Sequence, residues 1–93
     1  MPPVARVGDS VVHGCFGTHQ VQAGSGNVFA NGIPVARLGD PVNVHCCGPV
    51  CHSGTFAAGA GKVFVNGKPC IRIGDPCECG STAAAGSGNV FSN

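Results

Sequence analysis

Residues 32–42 read Gly-Ile-Pro-Val-Ala-Arg-Leu-Gly-Asp-Pro-Val, and near copies of the phrase stand at 2–9 (Pro-Pro-Val-Ala-Arg-Val-Gly-Asp) and 68–75 (Lys-Pro-Cys-Ile-Arg-Ile-Gly-Asp). A second landmark recurs with the same count: Gly24-Ser-Gly-Asn-Val-Phe29, Gly59-Ala-Gly-Lys-Val-Phe64 and Gly86-Ser-Gly-Asn-Val-Phe91. Asn-Gly follows the first two of these, at 31–32 and 66–67. Repetition at this period marks a stack or a ring of like units. The repeats span approximately 2–32, 33–67 and 68–93, within one domain of 93 residues.

The Asn-Gly pairs decide between stack and ring. Each lies between an apolar strand and a Pro-x-x-Arg-x-Gly-Asp run, the strongest short-range hairpin signal, because both residues tolerate positive φ. In the third copy the second strand of that hairpin has to be the N-terminal segment 2–7. Such a pairing joins the two ends of the chain, so the expected fold is all-β: a closed, pseudo-threefold set of short β-hairpins. Glycine or proline interrupts nearly every window of ten, which leaves no helix to compete. Arg6, Arg37 and Arg72 alternate with apolar neighbours and are expected to face outward, each in a solvated pair with the Asp three residues on.

Composition narrows the function. Sixteen Gly, seven Pro, five Phe and no Trp or Tyr leave few core-forming residues, and domains of this size often need a metal or disulfide staple. A net charge of +1 with five Lys and Arg gives no electrostatic footprint for nucleic acid. No apolar run is long enough to span a membrane, and no signal sequence opens the chain, so synthesis and folding in the cytoplasm are expected. Seven cysteines, an odd number, in a reducing compartment read as metal ligands or buried thiols rather than disulfides.

The histidines and cysteines are not spread evenly. The segments 10–23, 41–58 and 76–85, which connect each Gly-Asp to the next glycine-rich landmark, hold all four His and six of the seven Cys. In a ring these three connections leave on one side and converge, and borderline-soft ligands gathered there suggest a transition metal. Cys70, equivalent to Val4 and Val35, is expected in the core. Cys15, Cys46, Cys47, Cys51 and Cys77 each read as packed thiols, and His19, without a counterpart in the other copies, as an exposed residue. His13 follows Asp9 by four residues and Cys79 follows Asp75 by four; the matching slot in copy two is Val44, beside His45. The long second connection has room for two ligands, giving His13, His45, His52 and Cys79 as a closed tetrahedral set for one structural Zn²⁺. Cys46, Cys47 or Cys51 in place of one copy-two histidine is the other open assignment.

The phrases Pro3-Val-Ala-Arg6, Pro34-Val-Ala-Arg37 and Pro69-Cys-Ile-Arg72, each followed by x-Gly-Asp, resemble the PAAR-repeat family over essentially the whole chain. The third copy departs with Cys-Ile where the family phrase has Ala-Ala. The resemblance implies a cone of β-hairpins with a zinc near its point, held by three His and one Cys. It implies a structural tip, not an enzyme, that caps the trimeric β-helix spike (VgrG-like in type VI secretion, or that of a contractile phage tail), one copy per trimer. Such a tip waits in the cytoplasm, leaves with the spike and touches the target membrane transiently; separate effectors ride on some such tips. No room for a fused effector is expected in 93 residues. A zinc module with a catalytic or adaptor role is the competing reading; it needs an open coordination site and a general base, for which Glu78, the only glutamate, is the candidate.

Overall fold

The computed structural model describes residues 2–13 and 17–92, with His52 described through its backbone only. Nine short strands follow one another, and no helix occurs among the described residues: β1 (Ser10–Val12), β2 (Thr18–Gln20), β3 (Phe29–Ala30), β4 (Ile33–Pro34), β5 (Pro41–Cys47), β6 (Val50–Thr55), β7 (Phe64–Val65), β8 (Lys68–Pro69) and β9 (Thr82–Ala83). All pairings are antiparallel, in one three-stranded sheet (β2-β1-β9) and three two-stranded ones (β3-β4, β5-β6, β7-β8).

The Asn-Gly turns form as their chemistry requires. Asn31 and Asn66 take φ of 56° and 54°, and Gly32 and Gly67 take 77° and 78°, so both central residues are left-handed, as in a type I′ hairpin. The hairpins pair Phe29 with Pro34 and Phe64 with Pro69. The third pair of this kind is Phe91 with Pro3, between the two ends of the chain. Val4 N–H donates to the Val90 carbonyl (3.0 Å) and Ser92 N–H to the Pro2 carbonyl (3.0 Å). The expected joining of the termini is therefore present.

The three repeated phrases meet in the middle of the molecule. Ala5 N–H donates to the Ile71 carbonyl (2.9 Å), Ala36 N–H to the Ala5 carbonyl (2.9 Å) and Ile71 N–H to the Ala36 carbonyl (3.1 Å). The bonds form a cycle, so each phrase uses both edges of its backbone and none is left as an unpaired strand edge. The side chains at these positions are fully buried. Two alanines and one isoleucine are the small set that three converging backbones can accommodate. Gly24, Gly59 and Gly86 lie against the same phrases. A Cβ on Gly24 would stand 2.6 Å from the Val35 carbonyl oxygen, so only glycine permits this approach.

Two apolar clusters flank the cycle. Val4, Ala30, Val35, Ala60, Val65 and Cys70 pack on the side of the hairpin turns, and Cys70 is a core residue as expected. Ala5, Ala36 and Ile71 join Val11, Val21, Val42, Phe56, Cys77 and Ala83 on the side of the connecting segments. The body measures 37 × 23 × 23 Å, one long axis and two equal short ones, as a cone requires.

The arginines differ from expectation. Each Asp accepts a bidentate pair of bonds from its Arg and one more from that Arg's backbone N–H. Asp40 and Asp75 are buried, and the arginine side chains are only 15–22 % exposed. These hydrogen bonds raise the pKa of all three arginines, against a smaller opposing effect of burial. Alternation along a strand predicts an outward side chain, but it does not show the neighbouring repeat that covers it.

Candidate metal centre

Three of the four sequence-assigned ligands come together, one from each connecting segment. His13 follows β1, His45 lies in β5, and Cys79 precedes β9. Their ligand atoms all lie within 4.8 Å of one another. His13 Nδ1 is 3.5 Å from His45 Nε2, and Cys79 Sγ is 3.7 Å from the same nitrogen. The edges of a tetrahedral zinc shell, from Zn–N of about 2.0 Å and Zn–S of about 2.3 Å, are ~3.3 Å for N···N and ~3.6 Å for N···S. The donor set and its spacing fit a metal of this type.

Local structure brings each ligand there. Strand β5 carries one extra residue relative to β6: the register pairs Val42 with Gly54 but His45 with His52. This bulge at Asn43 and Val44 turns His45 inward and leaves Val44 66 % exposed. Counting from Gly-Asp points to Val44; the bulge displaces the slot by one residue, so the neighbouring histidine fills it. The Asn43 carbonyl freed by the bulge lies 2.9 Å from His45 Nδ1. With Nδ1–H donating there, Nε2 presents a bare lone pair to the site. Gly80, at φ 101°, makes the tight turn behind Cys79, and a Cβ on it would stand 2.9 Å from His13 Nε2.

Burial works to raise the Cys79 thiol, but hydrogen bonds involving Ser81 and Cys77, with charge on His45, outweigh it and leave its pKa below the usual thiol value. Cys77, buried with its sulfur 3.0 Å from that of Cys79, is pushed up to about 11, chiefly by burial. Of the two, Cys79 gives up its proton the more readily. That division suits one metal-binding sulfur and one packed thiol, the role expected of Cys77.

The side chain of His52, the fourth assigned ligand, lies outside the described residues, as does Cys15. The register places the His52 backbone directly opposite His45. Cys46 and Cys51, neighbours of that pair, are joined in a disulfide, and Cys47 is disulfide-bonded as well. This corrects the expectation of packed or metal-bound thiols in the second connection, and as disulfides these cysteines cannot replace a histidine ligand. Residues directly opposite in an antiparallel hairpin are close enough to bridge, which cysteine counting does not reveal.

His19 also differs from expectation. It is 4 % exposed, not a surface residue. Its ring stacks on that of His45 with centroids 3.7 Å apart and planes 13° apart. Its Nε2 is 3.1 Å from the Ser81 hydroxyl, and its buried Nδ1 makes no hydrogen bond among the described residues. Burial and repulsion from His45 lower its pKa, opposed weakly by the nearby Gly17 backbone. Position 19 has no counterpart in the other repeats, so repeat register held no signal for it.

A small all-β body with its repeats hydrogen-bonded in a cycle carries, where their connections converge, a His and Cys cluster able to hold a metal ion. The sequence profile of the PAAR motif matches residues 16–85. The chain belongs to the PAAR-motif family. No curated protein matches it in a sequence comparison.

Proposed function

We propose that this protein is the tip of a contractile injection machine, capping a trimeric β-helix spike with one copy per three spike chains. The observation that carries this reading is a threefold set of exposed apolar pairs. Val28 and Phe29 are 37 % and 54 % exposed, Val63 and Phe64 36 % and 57 %, Val90 and Phe91 37 % and 46 %. Each pair stands at the same place in its repeat, beside a hairpin turn and away from the histidines. Three like apolar sites on one chain match a trimer without the mismatch an asymmetric cap would bring to a threefold axis. Membership of the PAAR-motif family supports the choice of partner.

At the other end His13, His45 and Cys79 hold the metal, and His52, opposite His45 in register, completes the set. A zinc ion bound there cross-links all three connections and serves structure, with no position left open for substrate. The tip is made in the cytoplasm, travels out on the spike and meets the target envelope first.

Native mass spectrometry with a trimeric spike fragment tests the reading. The expected complex holds one copy per trimer. A three-to-three complex, or none with any spike trimer, overturns it. Phe29→Ser combined with Phe64→Ser should weaken docking at least tenfold while the isolated protein keeps its metal.

A further inference from the structure

We infer that Ser81 and His19 are positioning residues for the metal centre, Ser81 holding the Cys79 sulfur and His19 holding both Ser81 and the ring plane of His45. The inference rests on the metal-centre reading above. Ser81 is fully buried, and its hydroxyl stands between two groups, 3.2 Å from Cys79 Sγ and 3.1 Å from His19 Nε2. A hydroxyl has one proton to give, and a thiolate has none. A cysteine that ligates a metal does so as the thiolate, so in the loaded site the Ser81 proton goes to the sulfur and the Ser81 oxygen accepts from His19 Nε2–H. This order of donors places the His19 proton on Nε2.

His19 is not itself a ligand in this arrangement, because the clustered ligand atoms belong to His13, His45 and Cys79. Its second contact is the stack on His45. The Asn43 carbonyl fixes which nitrogen of His45 faces the site, and the stacked His19 ring fixes the plane in which that nitrogen lies. Two of the three ligands are thus oriented by one buried residue, directly or through Ser81. Partners of this kind typically change metal affinity by about 10–100-fold when removed.

Cobalt(II) binding to the purified full chain tests the inference, because the thiolate-to-cobalt charge-transfer band reports on hydrogen bonding to the sulfur. Ser81→Ala removes a single oxygen. His19→Phe keeps a ring against His45 but loses the donor, and His19→Gln restores an N–H at a similar reach. Ser81→Ala and His19→Phe should each move the charge-transfer band to lower energy and weaken cobalt binding about tenfold or more. His19→Gln should return the band toward its wild-type position. Wild-type band position and affinity in folded Ser81→Ala and His19→Phe would overturn the inference and leave the metal centre standing. Failure of the wild-type chain to take up cobalt or zinc would instead overturn the metal centre itself.

Discussion

At the scale of single residues, the three Arg–Asp pairs do more than their spacing suggests. Arg37 gives Asp40 two side-chain bonds and a backbone bond, and it also reaches the Asn66 side chain (3.2 Å) and the Gly24 carbonyl (3.3 Å). Arg6 repeats this with Asn31 and Gly86. One guanidinium therefore ties its own turn to backbone far away in sequence. Exposed pairs contribute about 0.2–1 kcal/mol, whereas removing one partner of a shielded, multiply bonded pair costs more. Asp40→Ala should destabilise the protein by about 2–4 kcal/mol in urea denaturation. Arg37→Lys should recover little of the function of the pair, since an ammonium cannot reproduce the planar fork. A loss below about 1 kcal/mol for Asp40→Ala would show that the pair behaves as a solvated one.

The elements of this fold are too short to stand alone, so small changes in register have large consequences. The bulge in β5 is the clearest case. Deleting Asn43 and Val44 together sets His45 directly after Val42 and reverses its facing, since successive strand residues point to opposite sides. Zinc content should then fall well below one per chain, measured on purified protein, while the distant hairpins β3-β4 and β7-β8 persist. Retention of a full equivalent would mean that His45 is not needed. The glycines give a matched contrast. Gly24→Ala would drive a Cβ into the Val35 carbonyl, whereas a Cβ on Gly26 meets nothing within 4 Å. The first substitution should cost about 1–3 kcal/mol and the second under about 1 kcal/mol, compared by thermal denaturation. The Cys46–Cys51 bridge closes a short loop, five residues apart in sequence. Reductant alone should therefore lower stability, by about 2 kcal/mol for this bridge.

For the whole molecule, the question is what keeps nine strands of two to seven residues folded. Two small apolar clusters of mostly Val and Ala leave little margin for a 93-residue chain. The cycle of backbone bonds supplies geometry, and a metal held by His13, His45 and Cys79 would join the connections that the cycle leaves loose. Structural zinc sites contribute on the order of 10 kcal/mol of apparent binding energy. His13→Ala or Cys79→Ser should lower both zinc content and the thermal midpoint sharply, and a strong chelator should reproduce the second effect in the wild type. If the double variant still copurifies with a full zinc equivalent, the site lies elsewhere.

Sequence alone determined the closed arrangement, because each repeat carries both halves of a local signal. Asn-Gly fixes a hairpin within a few residues, and the third hairpin could be completed only by residues 2–7. It also pointed to His13 and Cys79, each four residues after its Gly-Asp, whose ligand atoms the fold brings together. Only the tertiary structure decided what depends on contacts between repeats. The burial of the arginine pairs comes from a neighbour that no single strand reveals. The entry of His45 in place of the Val44 slot comes from a bulge whose register exists only once β5 and β6 pair. The Cys46–Cys51 bridge likewise appears only when two residues are set opposite each other. His19 is the clearest example: unmatched in the other repeats, it acquires its place solely because His45 and Ser81, 26 and 62 residues further along the chain, fold against it.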